Sequence, residues 1–150
     1  LVCTRLETEL SQAATAASIM TEDVKTISTG WTMLEASLFL EQIDHHGAPV
    51  VDEKGNLTGM LTLKNIMKAR RAGKMSAPVT AFMAGRVITV NENDSIRDIE
   101  EALLKYNIGH LPVMNKSVLA GMVTRTDYLE YLTTRRQSGR KIAEKLISNA

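Results

Sequence analysis

The chain has 150 residues, enough for one domain or a tight pair of small ones with a core that folds unaided. Hydrophobic residues make up 44% and charged residues 23%, an ordinary globular composition rather than a disordered tail, and with only 4% aromatics the core must be aliphatic and rich in methionine. A net charge of +1 exerts no global pull on polyanions, and the single Cys3 allows neither an internal disulfide nor a cysteine zinc site, in keeping with a reducing compartment. No apolar run approaches the roughly 18 residues of a membrane helix and no signal-peptide pattern opens the chain, so it reads as cytoplasmic with no membrane partner.

In chain order, residues 1–18 form a helical lead-in, and the opening LVCTRL, without methionine, reads as a piece of a longer polypeptide. Residues 19–74 and 75–133 are then two copies of one unit. Met20 falls on Met83, Val24 on Val87 and Pro49 on Pro112 at an offset of 63; Gly59 meets Gly121, Met60 Met122 and Thr62 Thr124 at 62. Each copy opens on a short extended segment, Val24 to Ile27 or Val87 to Val90. A helix-capping signal follows, Thr32-x-x-Glu35 or Ser95-x-x-Asp98, because side-chain oxygens there satisfy amides that the helix leaves unpaired. Apolar positions then recur at helical spacing, Met33, Ala36, Ser37 and Leu40, and in the second copy Ile96, Ile99 and Leu103. Two short strands come next, APVV with TGMLT and LPVM with AGMVT, joined by the turn formers of DEKGN or NKS. A second helix closes each copy, Leu63 to Arg71 and Arg125 to Thr133, and residues 134–150 are a basic tail. The result is an α+β protein of two β-α-β-β-α units, neither large enough to bury much alone, so the two must pack together.

Three further features have plain structural readings beside functional ones. Met20, Met33, Met60, Met83 and Met122 sit at apolar repeat positions and read as core filler. Trp31 precedes the cap Thr32 and is either a hydrophobic staple or an interface contact. Lys64, Lys68, Arg70, Arg71 and Lys74 place five cations in eleven residues, either a face for RNA or phosphate or a solvated helix end whose cations oppose the negative dipole. No aromatic interleaves them, which removes a usual partner for single-stranded RNA.

The paired MxxxVxT openings, the hydrophobic-Pro-Val strands and GMVTRTDYL, similar to a Gly-x-x-Thr-x-x-Asp closing motif, resemble tandem CBS domains, the Bateman module, from Ile19 to about Leu132. That resemblance implies two units related by a pseudo-two-fold, a homodimer, no catalytic cofactor, and two clefts for a regulatory ligand: AMP, ADP, ATP or S-adenosylmethionine. Carried over by position, the first cleft takes Lys25, His46, Gly47 and Ala48 with Thr124, Arg125, Thr126 and Asp127. The second takes Ile88, Gly109, His110 and Leu111 with Thr62, Lys64 and Asn65. A carboxylate accepts two hydrogen bonds from a ribose diol, and a helix start offers free amides to phosphate. Asp127 meets that demand unless it only caps its helix. In the second cleft Asn65 stands in the carboxylate's place, a weaker acceptor, and makes that cleft the lesser site. Backbone groups before Pro49 and Pro112, unpaired by helix or sheet, would read an adenine edge.

The linker Lys68, Ala69, Gly73, Ala77, Pro78, Val79 and Met83 further resembles the CBS insert of bacterial multidomain tRNA nucleotidyltransferase/poly(A) polymerase-type proteins. On that resemblance the lead-in and tail are stumps of flanking domains, and tRNA is a partner of the parent chain. The fragment itself carries no Gly-Gly turn with Asp-x-Asp, no P-loop and no HExxH, so no catalytic residue is assigned. Asp44-His45-His46 spells the motif of DHH phosphoesterases, but its repeat partner is Asn107-Ile108-Gly109 and no second aspartate motif accompanies it. His46 and His110 fall one position apart in the repeat and are expected in different clefts, which leaves no three-histidine metal site. Besides a ligand-sensing module, a spacer and dimerisation unit, a regulatory pair from another enzyme or transporter, and a metal-dependent phosphoesterase remain to be separated.

Overall fold

A computed structural model describes residues 14–134. Cys3, nearly all of the proposed lead-in and the tail beyond 134 lie outside them. The described elements are α1 (Ala16–Ile19), β1 (Ile27–Ser28), α2 (Met33–Ile43), β2 (Gly47–Val51), β3 (Leu57–Thr62), α3 (Leu63–Arg71), a 3-10 turn (Val79–Ala81), β4 (Val90–Asn91), α4 (Ile96–Lys105), β5 (His110–Asn115), β6 (Val118–Thr124) and the helical residues 125–134, here α5.

Each unit is a three-stranded sheet. The first has order β1-β2-β3 and the second β4-β5-β6, in both cases with a parallel first pair and an antiparallel second pair. Register repeats as well: Pro49 faces Met60 and Pro112 faces Met122, and each ladder slips near its end, at Val50/Val51 and Val113/Met114. Both cap signals form. Thr32 Oγ1 accepts from the Glu35 amide at 3.2 Å while Glu35 Oε1 accepts from the Thr32 amide at 3.3 Å. Ser95 Oγ accepts from the Asp98 amide at 3.2 Å, and Asp98 Oδ2 accepts from the Ser95 amide at 3.1 Å. These bonds satisfy amides at the start of α2 and α4.

The cores are two separate aliphatic clusters. One gathers Ile27, Met33, Leu40, Val50 and Leu61 between the first sheet and α2 and α3; the other gathers Ile96, Ile99, Leu111, Val113 and Val123. Trp31 packs on the first cluster, its ring 5.1 Å from that of Phe39 and edge-on to it. Met33, Met60 and Met122 are buried, and Met20 and Met83 pack against the clusters, as expected of core filler.

Spatial grouping cuts across sequence order. Ala16 belongs to the second unit's cluster, its amide donates to Asp94 O, and Thr21 exchanges two hydrogen bonds with Met122. Conversely Val79 lies in the first unit's cluster, and Ala84 exchanges two bonds with Met60. The segment ahead of each unit is thus bound to the other unit. Glycine permits this: a Cβ on Gly121 would come within 2.5 Å of the Met20 sulfur and 2.9 Å of Thr21 O, and one on Gly59 within 2.5 Å of the Met83 sulfur and 2.8 Å of Ala84 O. Residues 22–26 and 85–89 consequently cross from one unit to the other.

Candidate functional site: two clefts at the junction of the units

The crossing segments form one wall of each of two cavities, and the start of a closing helix forms the opposite wall. The first, about 460 Å³, is lined by Thr21, Asp23, Val24 and Lys25 from residues 21–25, by 44–47 with Pro49, by Gly109, His110 and Met122, and by 124–127. The second, about 640 Å³, is lined by Ala84, Arg86, Val87 and Ile88, by Met60 and 62–65, by 107–110, and by His46 and Arg125. Both volumes fall in the range of small-molecule sites.

Of the residues assigned to the first cleft, Lys25, His46, Gly47, Thr124, Arg125, Thr126 and Asp127 line it. Of those assigned to the second, Ile88, Gly109, His110, Thr62, Lys64 and Asn65 do so. Ala48 and Leu111 line neither cavity. Both are buried in the cores, because strand alternation that turns one residue toward the cleft turns its neighbour away.

Two further expectations are corrected. His46 and His110 do not belong to different clefts; with Gly109 and Arg125 they line both. The cause is that β2 and β5 touch, so the turns before them meet at the junction of the units. Gly47 makes this possible: a Cβ there would sit 3.3 Å from His110 Cε1 and 3.2 Å from Leu61 O. Nor are the backbone groups before Pro49 and Pro112 free of the sheets. Gly47 and Ala48 pair with Thr62 and Leu61, and His110 and Leu111 with Thr124 and Val123. Only the other flank is open, since β1 and β4 pair with β2 and β5 no further than Val50 and Val113.

At the helix starts the two units differ in chemistry within one geometry. Asp127 Oδ2 accepts from the Thr124 amide at 2.9 Å, Thr124 Oγ1 accepts from the Asp127 amide at 3.2 Å, and no described residue hydrogen-bonds Asp127 Oδ1. Capping therefore uses one carboxylate oxygen and leaves the other. In the first unit Asn65 Oδ1 accepts both the Thr62 amide at 2.9 Å and the Thr62 hydroxyl at 3.1 Å. Its remaining polar group is the amide nitrogen, which only donates.

Arg125 is held in place. Its Nε donates to Ile108 O at 2.9 Å, its Nη2 to Asn107 Oδ1 at 2.6 Å, and its backbone amide to Gly109 O at 3.2 Å. Leu63 occupies the matching place, its amide bonded to His46 O at 3.0 Å. His110 is half-buried, and desolvation, reinforced by the nearby His46 and His45, lowers its pKa below the ordinary 6.5. Lys25 lies 3.2 Å from Asp23, an exposed pair of little energetic weight. Asp44 is the C-cap of α2 with φ of 55°, a left-handed position that aspartate tolerates, and Asn107, one residue past the Tyr106 C-cap of α4, is also left-handed at 48°. The Asp-His-His spelling is thus a helix exit. Among the described residues no group of three or more His, Cys, Asp or Glu side chains is placed to hold a metal ion.

Arg86 and the segment 21–24 were not assigned from sequence. Once Asp23 stands in the first cleft, the offset of 63 leads to Arg86 in the second.

The CBS domain model matches residues 16–72 and 79–134, so this chain belongs to the CBS-domain family. It is 32% identical over 110 residues to the CBS domain-containing protein YhcV of Bacillus subtilis, covering 72% of this chain and 78% of that one. It is 28% identical over 120 residues to the A-adding tRNA nucleotidyltransferase of Geobacter sulfurreducens, covering 80% of this chain but only 14% of that enzyme. Among solved structures, the CBS domain pair of protein MJ0100, in complex with 5'-methylthioadenosine and S-adenosyl-L-methionine, matches with a TM-score of 0.75 at 26% identity, covering 81% of this chain and 98% of that one. No described helix is long and apolar enough to cross a membrane.

Proposed function

We propose that this chain is a non-catalytic sensing module of the cytoplasm whose first cleft takes an adenosine-type ligand, AMP, ADP, ATP or S-adenosylmethionine. The observation that carries this reading is the Asp127 carboxylate in the wall of a cavity of about 460 Å³, which caps α5 with one oxygen and leaves the other without a hydrogen bond to any described residue. Such an oxygen suits a ribose diol. Thr124, Thr126 and the start of α5 supply hydroxyls and amides beside it, and the ligands held by the CBS pair of MJ0100 support the same class.

Because the cavity wall comes from both units, a bound ligand favours one packing of the pair over others and passes that preference to flanking domains. The test is calorimetry and thermal melting with adenosine, AMP, ATP and S-adenosylmethionine. A ligand at a hundredfold excess over its Kd should stabilise the module by about 2.7 kcal/mol, and Asp127→Ala should abolish the shift given by adenosine and S-adenosylmethionine. No shift with any adenine ligand at millimolar concentration would refute the reading.

The likeness to the Geobacter enzyme supports a parent of the tRNA nucleotidyltransferase type, in which the module would sit beside catalytic and tRNA-binding domains. Self-association has its own support. Leu34 and Leu38 on α2 and Leu63 and Met67 on the adjoining α3 are exposed at helical spacing, an apolar surface that a second copy would cover. Sedimentation of wild type against Leu38→Glu tests for that homodimer.

A further inference from the structure

The walls of the two clefts match position by position, and their charges do not. Where the first cleft has Asp23, Asp44 and Asp127, the second has Arg86, Asn107 and Asn65. The first is lined by three carboxylates against two permanent cations, Lys25 and Arg125. The second is lined by three permanent cations, Lys64, Arg86 and Arg125, and by no carboxylate among the described residues. None of those three cations is ion-paired to a described residue. Asn65 completes the change, because its oxygen is taken by Thr62 and only its N–H donors are left over. The second cleft is therefore a cavity of about 640 Å³ that offers cations and donors, with no carboxylate for a sugar diol.

We infer that the second cleft is an anion site that recognises the phosphate chain of a di- or triphosphate and makes no demand on a ribose diol. The inference rests on the reading of the junction as a ligand site and assigns its two halves to different chemistry. Coulomb attraction inside a concave wall is less screened than on an open surface, so three unpaired cations there favour a multivalent anion strongly. Arg125 contributes most cheaply: it is already fixed by Asn107 and Ile108, and its remaining guanidinium N–H groups need no ordering to meet phosphate.

Calorimetric titration with sodium tripolyphosphate, ATP, 2'-deoxy-ATP and S-adenosylmethionine tests this, using wild type, the Lys64→Ala/Arg86→Ala double variant and Asp127→Ala. Lys64 and Arg86 are exposed, so their removal should leave folding intact, which circular dichroism verifies. Tripolyphosphate should bind wild type, weaken at least tenfold in the double variant, and change less than twofold in Asp127→Ala. In Asp127→Ala, 2'-deoxy-ATP should bind as well as ATP. Tripolyphosphate and ATP binding with similar strength assigns recognition to the phosphate chain from either source. ATP bound through Lys64 and Arg86 with no binding of tripolyphosphate overturns the inference, as does tripolyphosphate binding that ignores the double variant. S-adenosylmethionine binding that is lost in Asp127→Ala while tripolyphosphate never binds sinks only this inference. The converse result sinks only the adenosine reading of the first cleft.

Discussion

Residues 14–74 and 75–134 form matching strands and main helices in the same register, and the positions at which they agree differ in kind from those at which they part. Agreement falls on the cap pairs, on the strand prolines facing methionine, and on Gly59 and Gly121 beneath Met83 and Met20. Divergence falls on the cleft walls: Asp23 against Arg86, Asp127 against Asn65, and Leu63 against Arg125. One copy thereby serves as an internal control for the other. What the backbone needs is present twice, and what a ligand would touch is present once in each of two versions.

The largest effect is expected where the copies agree. Gly121→Ala and Gly59→Ala should each destabilise the chain by about 1–3 kcal/mol, because the new methyl meets a sulfur and a backbone oxygen that cannot both withdraw. Gly109→Ala is the control, since a Cβ there meets nothing within 4 Å, and urea melts of the three variants make the comparison.

Next comes an exchange of the divergent pair. Asp127→Asn should weaken adenosine binding in the first cleft by about 2 kcal/mol, roughly thirtyfold, and Asn65→Asp should create a diol acceptor in the second. Calorimetric stoichiometry would register the added site. Equal affinity in all three proteins would remove the ribose argument.

A smaller change is expected at the caps. Thr32→Ala and Ser95→Ala should each cost about 1 kcal/mol in thermal melts, and should cost it equally if the two units share one cooperative transition.

The mildest effect is on pH dependence. His110 is easier to protonate in the unfolded chain, where its pKa is the ordinary 6.5, than in the folded one, where it is lower. Its contribution to stability is therefore full above 6.5 and is lost as pH falls from there toward the lowered folded value. Burial is the main cause, and the nearby His46 and His45 add to it. His110→Asn should flatten the slope of stability below pH 6.5, and tripolyphosphate should reverse that slope in wild type by favouring the charged ring.

Much of this was legible in the sequence because it rests on local rules. The caps Thr32 and Ser95, the helix starts after Thr62 and Thr124, and the hydrophobic-Pro-Val strands follow from bonding within a few residues. The repeat frame also located most of the cleft walls. Three things were not readable locally. That Ala16 and Val79 serve the opposite unit depends on contacts far apart in the chain. That His46 and His110 face both cavities depends on β2 meeting β5. That Asn65 shows only its nitrogen depends on which of its atoms Thr62 takes. The last two underlie the inference that the second cleft suits a different chemistry from the first.

The crossing of segments 22–26 and 85–89 gives the pair a particular mechanical wiring. A pull applied at Ala14 is resisted by Asp94 and Met122 in the later unit, not by the sheet that follows directly in sequence. Tension in the chain near Ala84 is likewise taken up by Met60 in the earlier one. The two halves are latched like crossed straps, each fastened to the other's frame. Either half expressed alone loses the frame to which its own strap is fastened, so neither should keep its cleft.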